Sequence, residues 1–297
     1  MPRPDSMAYL QGLVYRRSGI VLEDGKDYLV DSRLSPVARC EGVESVDELV
    51  DKLRRDRGGE LAQRVVEAMT TNETLFFRDA HPFDALRNHF VPELLKARSQ
   101  ERSLRIWSAA AATGQEPYSI AMALLEAFPE LASWRVSILA TDLNEAVLER
   151  ARRGRYRALE VSRGLPPSYL SKYFSRVDGD WELSANVRDM VTFRQLNLVE
   201  PWFEIAPCDL VFMRNVLIYF DANTKTTVLK RLHSVLRPDG FLVLGGAETT
   251  TNLDDSYASV RVGPGVYYQL KTPSPAESTR GAPRAGDVVS SRTPRVA

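Results

Sequence analysis

The sequence predicts an α/β protein in two parts: a small all-helical N-terminal domain, then a larger domain built on an open, mainly parallel sheet. Three observations carry this. Residues 1–90 repeat apolar side chains at helical spacing, with no strand-like alternation. From Leu104 onward, short apolar runs alternate with amphipathic ones in the order strand, helix, strand. Around residues 155–192 that alternation breaks. The expected organisation is therefore a helical domain and linker at 1–79, a sheet domain at 80–271 with a β-subdomain inserted at 155–192, and a tail at 272–297.

In the first part, "SMAYLQGLVYRRSG" places Leu10, Leu13 and Val14 on one helical face and closes on Gly19. "SVDELVDKLRRD" offers Ser45 and Glu48 as a reciprocal capping box. "ELAQRVVEAM" repeats Leu61, Val65 and Met69.

In the second part, "LRIWSAA" reads as a strand leading into the helix "EPYSIAMALLEAF". "WRVSILATDL" leads into "NEAVLERARRG", which Gly154 can end. Then come the strands "VTFRQLNL" and "CDLVFMRNVLIYF", the helix "NTKTTVLKRLHSVL", a turn at "RPDG" and the strand "FLVLGGAE". "GVYYQLK" is expected as a final edge strand, and "DGDW" as the turn of a small hairpin in the insertion. The tail, rich in Pro, Ser, Arg and Gly, is expected to be disordered.

The 39 basic residues equal the 39 acidic ones, so no global field draws the chain to nucleic acid or anionic lipid. No apolar run is long enough to span a membrane, and "MPRPDSMAYL" lacks the apolar core of a signal peptide. Two cysteines, Cys40 and Cys208, suit a reducing cytoplasm. His81, His89 and His233 have no metal-like spacing, so no metal is expected.

Ligands of open α/β sheets bind beyond the carboxyl ends of the strands. Gly114 falls in the first such loop, where it can let the backbone approach a ligand. Asp142 ends the second strand, where a carboxylate can hold ribose hydroxyls or cap the next helix. Asn197 ends the third, and Arg214–Asn215 lie within or just after the fourth. The loop "AAAATGQEPYS" lacks the glycines of a dinucleotide fingerprint and the Gly-Lys of a phosphate loop. Glu116 adds a carboxylate, which suits a cation or simply the helix dipole. An adenosine ligand with positive charge and no phosphate, S-adenosylmethionine, fits this pattern. "TTNETLFFRD" at the junction is expected to plug the interdomain seam with Phe76 and Phe77, and to pair Arg78 with a carboxylate.

Six stretches in order, "AMTTNETLFFRD", "RIWSAAAATGQEPYSIAM", "ATDLNEAVLERARRGRY", "FRQLNL", "RNVLIYF" and "LRPDGFLVLGGAE", resemble the chemotaxis receptor methyltransferase family (CheR type). The resemblance covers residues 9–270. It implies a Rossmann-like class I methyltransferase domain behind the helical domain, methylating glutamate side chains of the cytoplasmic domain of methyl-accepting chemoreceptors. It further implies a cytoplasmic monomer. Carried over by motif, the cofactor contacts would be Asn72, Thr74, Arg78, Glu116, Asp142, Asn197, Leu198, Arg214 and Asn215, with Arg78 and Tyr219 nearest the transferred methyl group. Arg33 and Arg39 match the basic helix that faces receptors. Family loops read S-T-G-E-E-P-Y-S, whereas Ala112 and Gln115 stand here. The insertion around "RVDGDWEL" is shorter than in members that dock on a receptor's C-terminal pentapeptide.

A glutamate nucleophile is ionised at neutral pH, so the expected chemistry is in-line displacement needing alignment and no general base. The alternatives are a non-catalytic cofactor-binding module that docks on receptors, a methyltransferase for RNA or a small molecule, and a nicotinamide oxidoreductase.

Overall fold

The computed structural model describes residues 1–56 and 59–271; the tail expected at 272–297 lies outside the described residues. Four helices come first: α1 (Pro4–Ser18), α2 (Asp27–Cys40), α3 (Val46–Arg55) and α4 (Glu60–Met69). Helix α1 ends on Gly19 at φ 72°, a left-handed cap that glycine takes without strain. Helix α2 carries Val30, Leu34 and Ala38 on its buried side. The cap of α3 departs from the expected box by one residue. Ser45 accepts the Glu48 N–H, but the Glu48 carboxylate accepts from Glu44 rather than Ser45. These helices share a core of their own, with Leu10, Val14, Leu34, Leu49, Val65 and Val66 at its centre.

A short α5 (His81–Ala85), a π-helical turn at Leu86–Phe90 and α6 (Val91–Ala97) lead into the sheet domain. There follow β1 (Ser103–Ala109), α7 (Gln115–Ala127), β2 (Arg135–Asp142) and α8 (Glu145–Arg153). The insertion contains β3 (Arg155–Tyr156), α9 (Ala158–Val161), α10 (Pro167–Tyr173), β4 (Phe174–Val177), β5 (Asp180–Leu183) and α11 (Ala185–Arg188). Then come β6 (Val191–Gln195), β7 (Cys208–Met213), a 3-10 turn at Leu217–Tyr219, α12 (Ala222–Leu232), β8 (Leu236–Leu244), β9 (Tyr257–Val262) and β10 (Gly265–Leu270).

The main sheet has the order β6-β2-β1-β7-β8-β10-β9. Pairing is parallel from β6 through β8, and β10 runs antiparallel to both its neighbours. Strand order reverses between β1 and β7, the crevice where ligands of such sheets bind. Alternate residues face two separate cores. Leu210 and Phe212 pack with Ile106 and Ile120 on one side, and Val211 and Met213 with Trp107 and Val228 on the other.

Two expectations are corrected. The strand "GVYYQLK" is not the edge: β10 lies inside and β9 is outermost, because the chain passes β8, forms β9 and folds back between them. Nor does "RPDG" turn before its strand. Residues 237–240 bulge within β8, since Leu236 pairs with Cys208 and Phe241 already pairs with Leu210. Arg98 explains the bulge, bridging Asp239 at its tip (2.5 Å) and buried Asp209 in β7 (2.7 Å).

The insertion forms its own sheet, β3-β5-β4, with the β4–β5 turn at Asp178–Gly179 in the left-handed region, as "DGDW" suggests. Phe76 and Phe77 do not plug the seam between the helical and sheet domains. Phe76 is fully buried edge-on against Tyr156 and Phe174 of the insertion, and Phe77 packs on Phe83 and Tyr169. Burying the Phe76 ring contributes about 2–3 kcal/mol and fixes the linker to the insertion.

Candidate functional site

One cavity beyond the carboxyl ends of β1, β2, β6 and β7 collects the residues expected from sequence. Asn72, Thr74 and Arg78 enter from the linker, and Glu116 and Asp142 from the first two crossovers. Asn197, Leu198, Arg214, Asn215 and Tyr219 complete it from the third and fourth.

The loop after β1 reaches the cavity through Ala110 and Ala112, both with positive φ (58° and 48°). Each still carries the Cβ that makes this conformation costly, so the surrounding structure must hold it in place. Gly114 plays a different part from the one expected: it does not line the cavity. Its φ is 91°, and a Cβ there would stand 2.9 Å from the Ala151 Cβ and 3.2 Å from the Tyr156 hydroxyl. Glycine is needed to pack α7 against α8 and the insertion.

Asp142 is not the cap of α8; Asn144 is, accepting the Val147 N–H. The Asp142 carboxylate instead ties two loops together, accepting N–H groups from Ala112 (2.9 Å) and Asn144 (3.0 Å). Burial pushes its carboxyl above the ordinary aspartate value, opposed by those backbone donors. Ala112 meets Asp142 through its backbone N–H, so a hydroxyl at that position is not needed for the contact. Gln115 is buried and accepts from the Thr113 hydroxyl.

Glu116 faces a cation, and that cation belongs to the protein. Arg214 reaches Glu116 (3.0 Å), Asp79 (2.8 Å) and the Arg78 carbonyl (3.0 Å), while Ser108 donates to the other Glu116 oxygen (2.8 Å). The Arg214 side chain is 1% exposed, a depth at which a guanidinium needs acid partners. Its Nε remains buried without an acceptor among the described residues. Arg78 is the converse. Its expected carboxylate partner does not exist among the described residues; Nη1 donates only to the Glu73 carbonyl, at 3.4 Å. The aromatic rings that suggested a buried pair point into the insertion and leave Arg78 at the cavity.

The helical domain supplies cavity wall that sequence reading missed. Ser18 and Ile20 line it. Ile20 bridges to Phe220, Val21 donates to the Tyr219 carbonyl (2.9 Å), and the Asn197 amide donates to the Arg17 carbonyl (2.6 Å). These partners lie far apart in sequence, so no local signal announces them. Asp79 was also missed, although it directly follows Arg78 in "FFRD". The Arg33 guanidinium donates to the Met69 carbonyl (2.7 Å) and the Thr71 hydroxyl (3.0 Å) at the start of the linker. Arg39 is exposed on α2. Among the described residues no cluster could hold a metal ion, and no helix is long and apolar enough to cross a membrane.

Residues 5–70 match the family model described as CheR methyltransferase, all-alpha domain, and residues 72–265 match CheR methyltransferase, SAM binding domain. Chemotaxis protein methyltransferase 1 of Pseudomonas aeruginosa is 46% identical over 257 residues, covering 85% of this chain and 93% of that protein. Chemotaxis protein methyltransferase Cher2 of Pseudomonas putida is 42% identical over 257 residues, covering 85% and 93%. The chemotaxis protein methyltransferase of Escherichia coli is 38% identical over 247 residues, covering 82% and 83%.

Proposed function

Because the chain belongs to the CheR methyltransferase family, we propose that it forms methyl esters on glutamate side chains in the cytoplasmic domain of chemoreceptors. It is an enzyme of chemotaxis that uses S-adenosylmethionine, as the motif resemblance implies; the non-catalytic module is set aside. The glutamate acceptor, the receptor partner, a cytoplasmic location, the domain boundary after residue 79 and the individual residue roles belong to the proposal.

The cavity fits this cofactor. It offers an acidic group at the end of β2 for ribose hydroxyls, an unsatisfied buried Nε on Arg214, and no phosphate cradle. When bound, S-adenosylmethionine supplies a methyl group activated by the sulfonium. Asp142 accepts from the ribose hydroxyls. Arg214 offers its Nε to an acceptor on the ligand, aligned by Asp79 and Glu116. Glu116 thus acts through Arg214 more than by facing the ligand's charge directly. Asn72, Thr74, Asn197, Leu198 and Asn215 shape the remaining wall.

The observation that carries the glutamate reading is Arg78, a cavity guanidinium with no acid partner among the described residues. It can hold an incoming carboxylate, and Tyr219 can orient it by its hydroxyl. An ionised glutamate needs no base, so positioning is the whole task of these two residues. Arg33 and Arg39 are the candidate receptor contacts, and Arg33 also ties α2 to the start of the linker.

The test is transfer of labelled methyl groups to receptor-rich membranes, followed by alkaline hydrolysis. Base-labile label on glutamate is the expected result; alkali-stable label overturns the reading.

A further inference from the structure

The loop after β7 carries Arg214 and Asn215 and, four residues beyond, Tyr219, yet it is held from outside the cavity. Glu248, in the turn after β8, accepts four backbone N–H groups. Its Oε2 accepts from Asn215 (2.8 Å) and Gly245 (2.7 Å), and its Oε1 from Val216 (2.9 Å) and Ile218 (3.2 Å). An ionised carboxylate offers about four lone-pair sites, so its capacity is filled. Glu248 itself does not line the cavity.

Asn215 has φ 58°, a left-handed conformation that a non-glycine residue holds at some cost unless its surroundings impose it. The carboxylate imposes it by gathering donors on both sides of the turn. Gly245 makes room: a Cβ there would stand 2.8 Å from the Asn215 amide nitrogen Nδ2 and from Glu248 Oε2, and 2.9 Å from the Asn215 backbone nitrogen. At the far end, Ile20 and Val21 grip Phe220 and Tyr219. Nothing else among the described side chains bonds to the backbone N–H groups of residues 215, 216 and 218.

We propose that Glu248 is a positioning residue for methyl transfer: it sets the backbone of residues 215–218 and through it places Asn215 and Tyr219 in the cavity wall. This rests on the reading of the site given above. Glu248 touches neither cofactor nor acceptor; it acts through the loop.

The test is Glu248→Gln, which keeps the shape but leaves one acceptor oxygen and turns an amide N–H2 toward backbone donors. The expected result is a roughly tenfold weaker S-adenosylhomocysteine dissociation constant by calorimetry and a roughly tenfold lower turnover at saturating cofactor. Gly245→Ala crowds the same junction and is expected to change both quantities in the same direction. Each variant is measured well below its own melting midpoint, so partial unfolding cannot imitate the effect. Wild-type affinity and turnover in folded Glu248→Gln overturn the proposal, even if the melting midpoint falls. If the wild-type protein fails to esterify glutamate, the functional reading fails instead, and the dissociation constant still decides the role of Glu248.

Discussion

The carbonyl of Tyr219 accepts the backbone N–H of Val21 at 2.9 Å, so the loop between α1 and α2 is hydrogen-bonded to a residue of the cavity wall. Beside this bond, Ile20 bridges to Phe220 and the Tyr15 hydroxyl donates to Asp221 (2.6 Å). The helical domain is therefore part of the cavity, not an appendage to it.

Val21→Pro removes the donor while keeping the extended backbone that a bridge needs. One lost hydrogen bond costs about 1 kcal/mol of stability, a modest effect. Turnover is expected to fall several-fold while S-adenosylhomocysteine affinity stays within about twofold, because the change reaches Tyr219 and leaves Asp142 and Arg214 in place. Equal loss of both quantities would show that the segment shapes the cofactor cavity as a whole.

Arg214→Leu leaves Glu116, 12% exposed, without its cation. Denaturant unfolding is expected to show a loss of about 3 kcal/mol, typical of breaking a buried pair at one partner. Adding Glu116→Gln removes the stranded charge and should recover part of that stability without restoring cofactor binding, a non-additive cycle readable by unfolding and calorimetry together.

Asp142 ties pH to two properties with opposite sign. Its carboxyl titrates above the ordinary aspartate value when folded, chiefly because it is buried. The folded state therefore holds that proton more tightly, and this group's contribution to stability declines as pH rises from the unfolded value through the folded one. Cofactor binding runs the other way, since ribose hydroxyls need the ionised acceptor. Affinity should weaken on acidification, with an onset above the ordinary aspartate range near pH 4. Calorimetry of S-adenosylhomocysteine between about pH 7.5 and 4.5 reads this, and Asp142→Asn should abolish the pH-dependent part.

Gly164→Ala tests the grip of the insertion on the linker. Its Cβ would meet the Phe76 carbonyl oxygen at 2.0 Å, on a backbone with φ 83°. Destabilisation of about 3 kcal/mol is expected, with weakened cofactor binding, because Phe76 stands just ahead of Arg78. Gly179→Ala provides the comparison: φ is 87° but nothing lies within 4 Å, so only backbone strain of about 1 kcal/mol is added. Similar losses in the two variants would mean that strain alone, and not pressure on the linker, governs Gly164.

The local elements of both domains were legible in the sequence because each is fixed by short-range chemistry. Gly19 and Gly154 end their helices in the left-handed conformation, the β4–β5 turn forms at Asp178–Gly179, and alternating apolar runs make the parallel strands. Strand-end spacing pointed to Asp142 and Arg214, and the family resemblance to Tyr219, and all three line the same cavity. What sequence could not assign was the partner of each polar group. Arg78 was expected to pair with a carboxylate and Arg214 to contact the cofactor, yet Arg214 takes Asp79 and Glu116 while Arg78 takes no acid among the described residues. Phe76 was expected at one seam and occupies another, and Arg33 serves the linker. The physical reason is range. Caps, turns and periodicity act over a few residues, whereas ion pairs and seams are decided by which distant segments the folded sheet brings within hydrogen-bond distance.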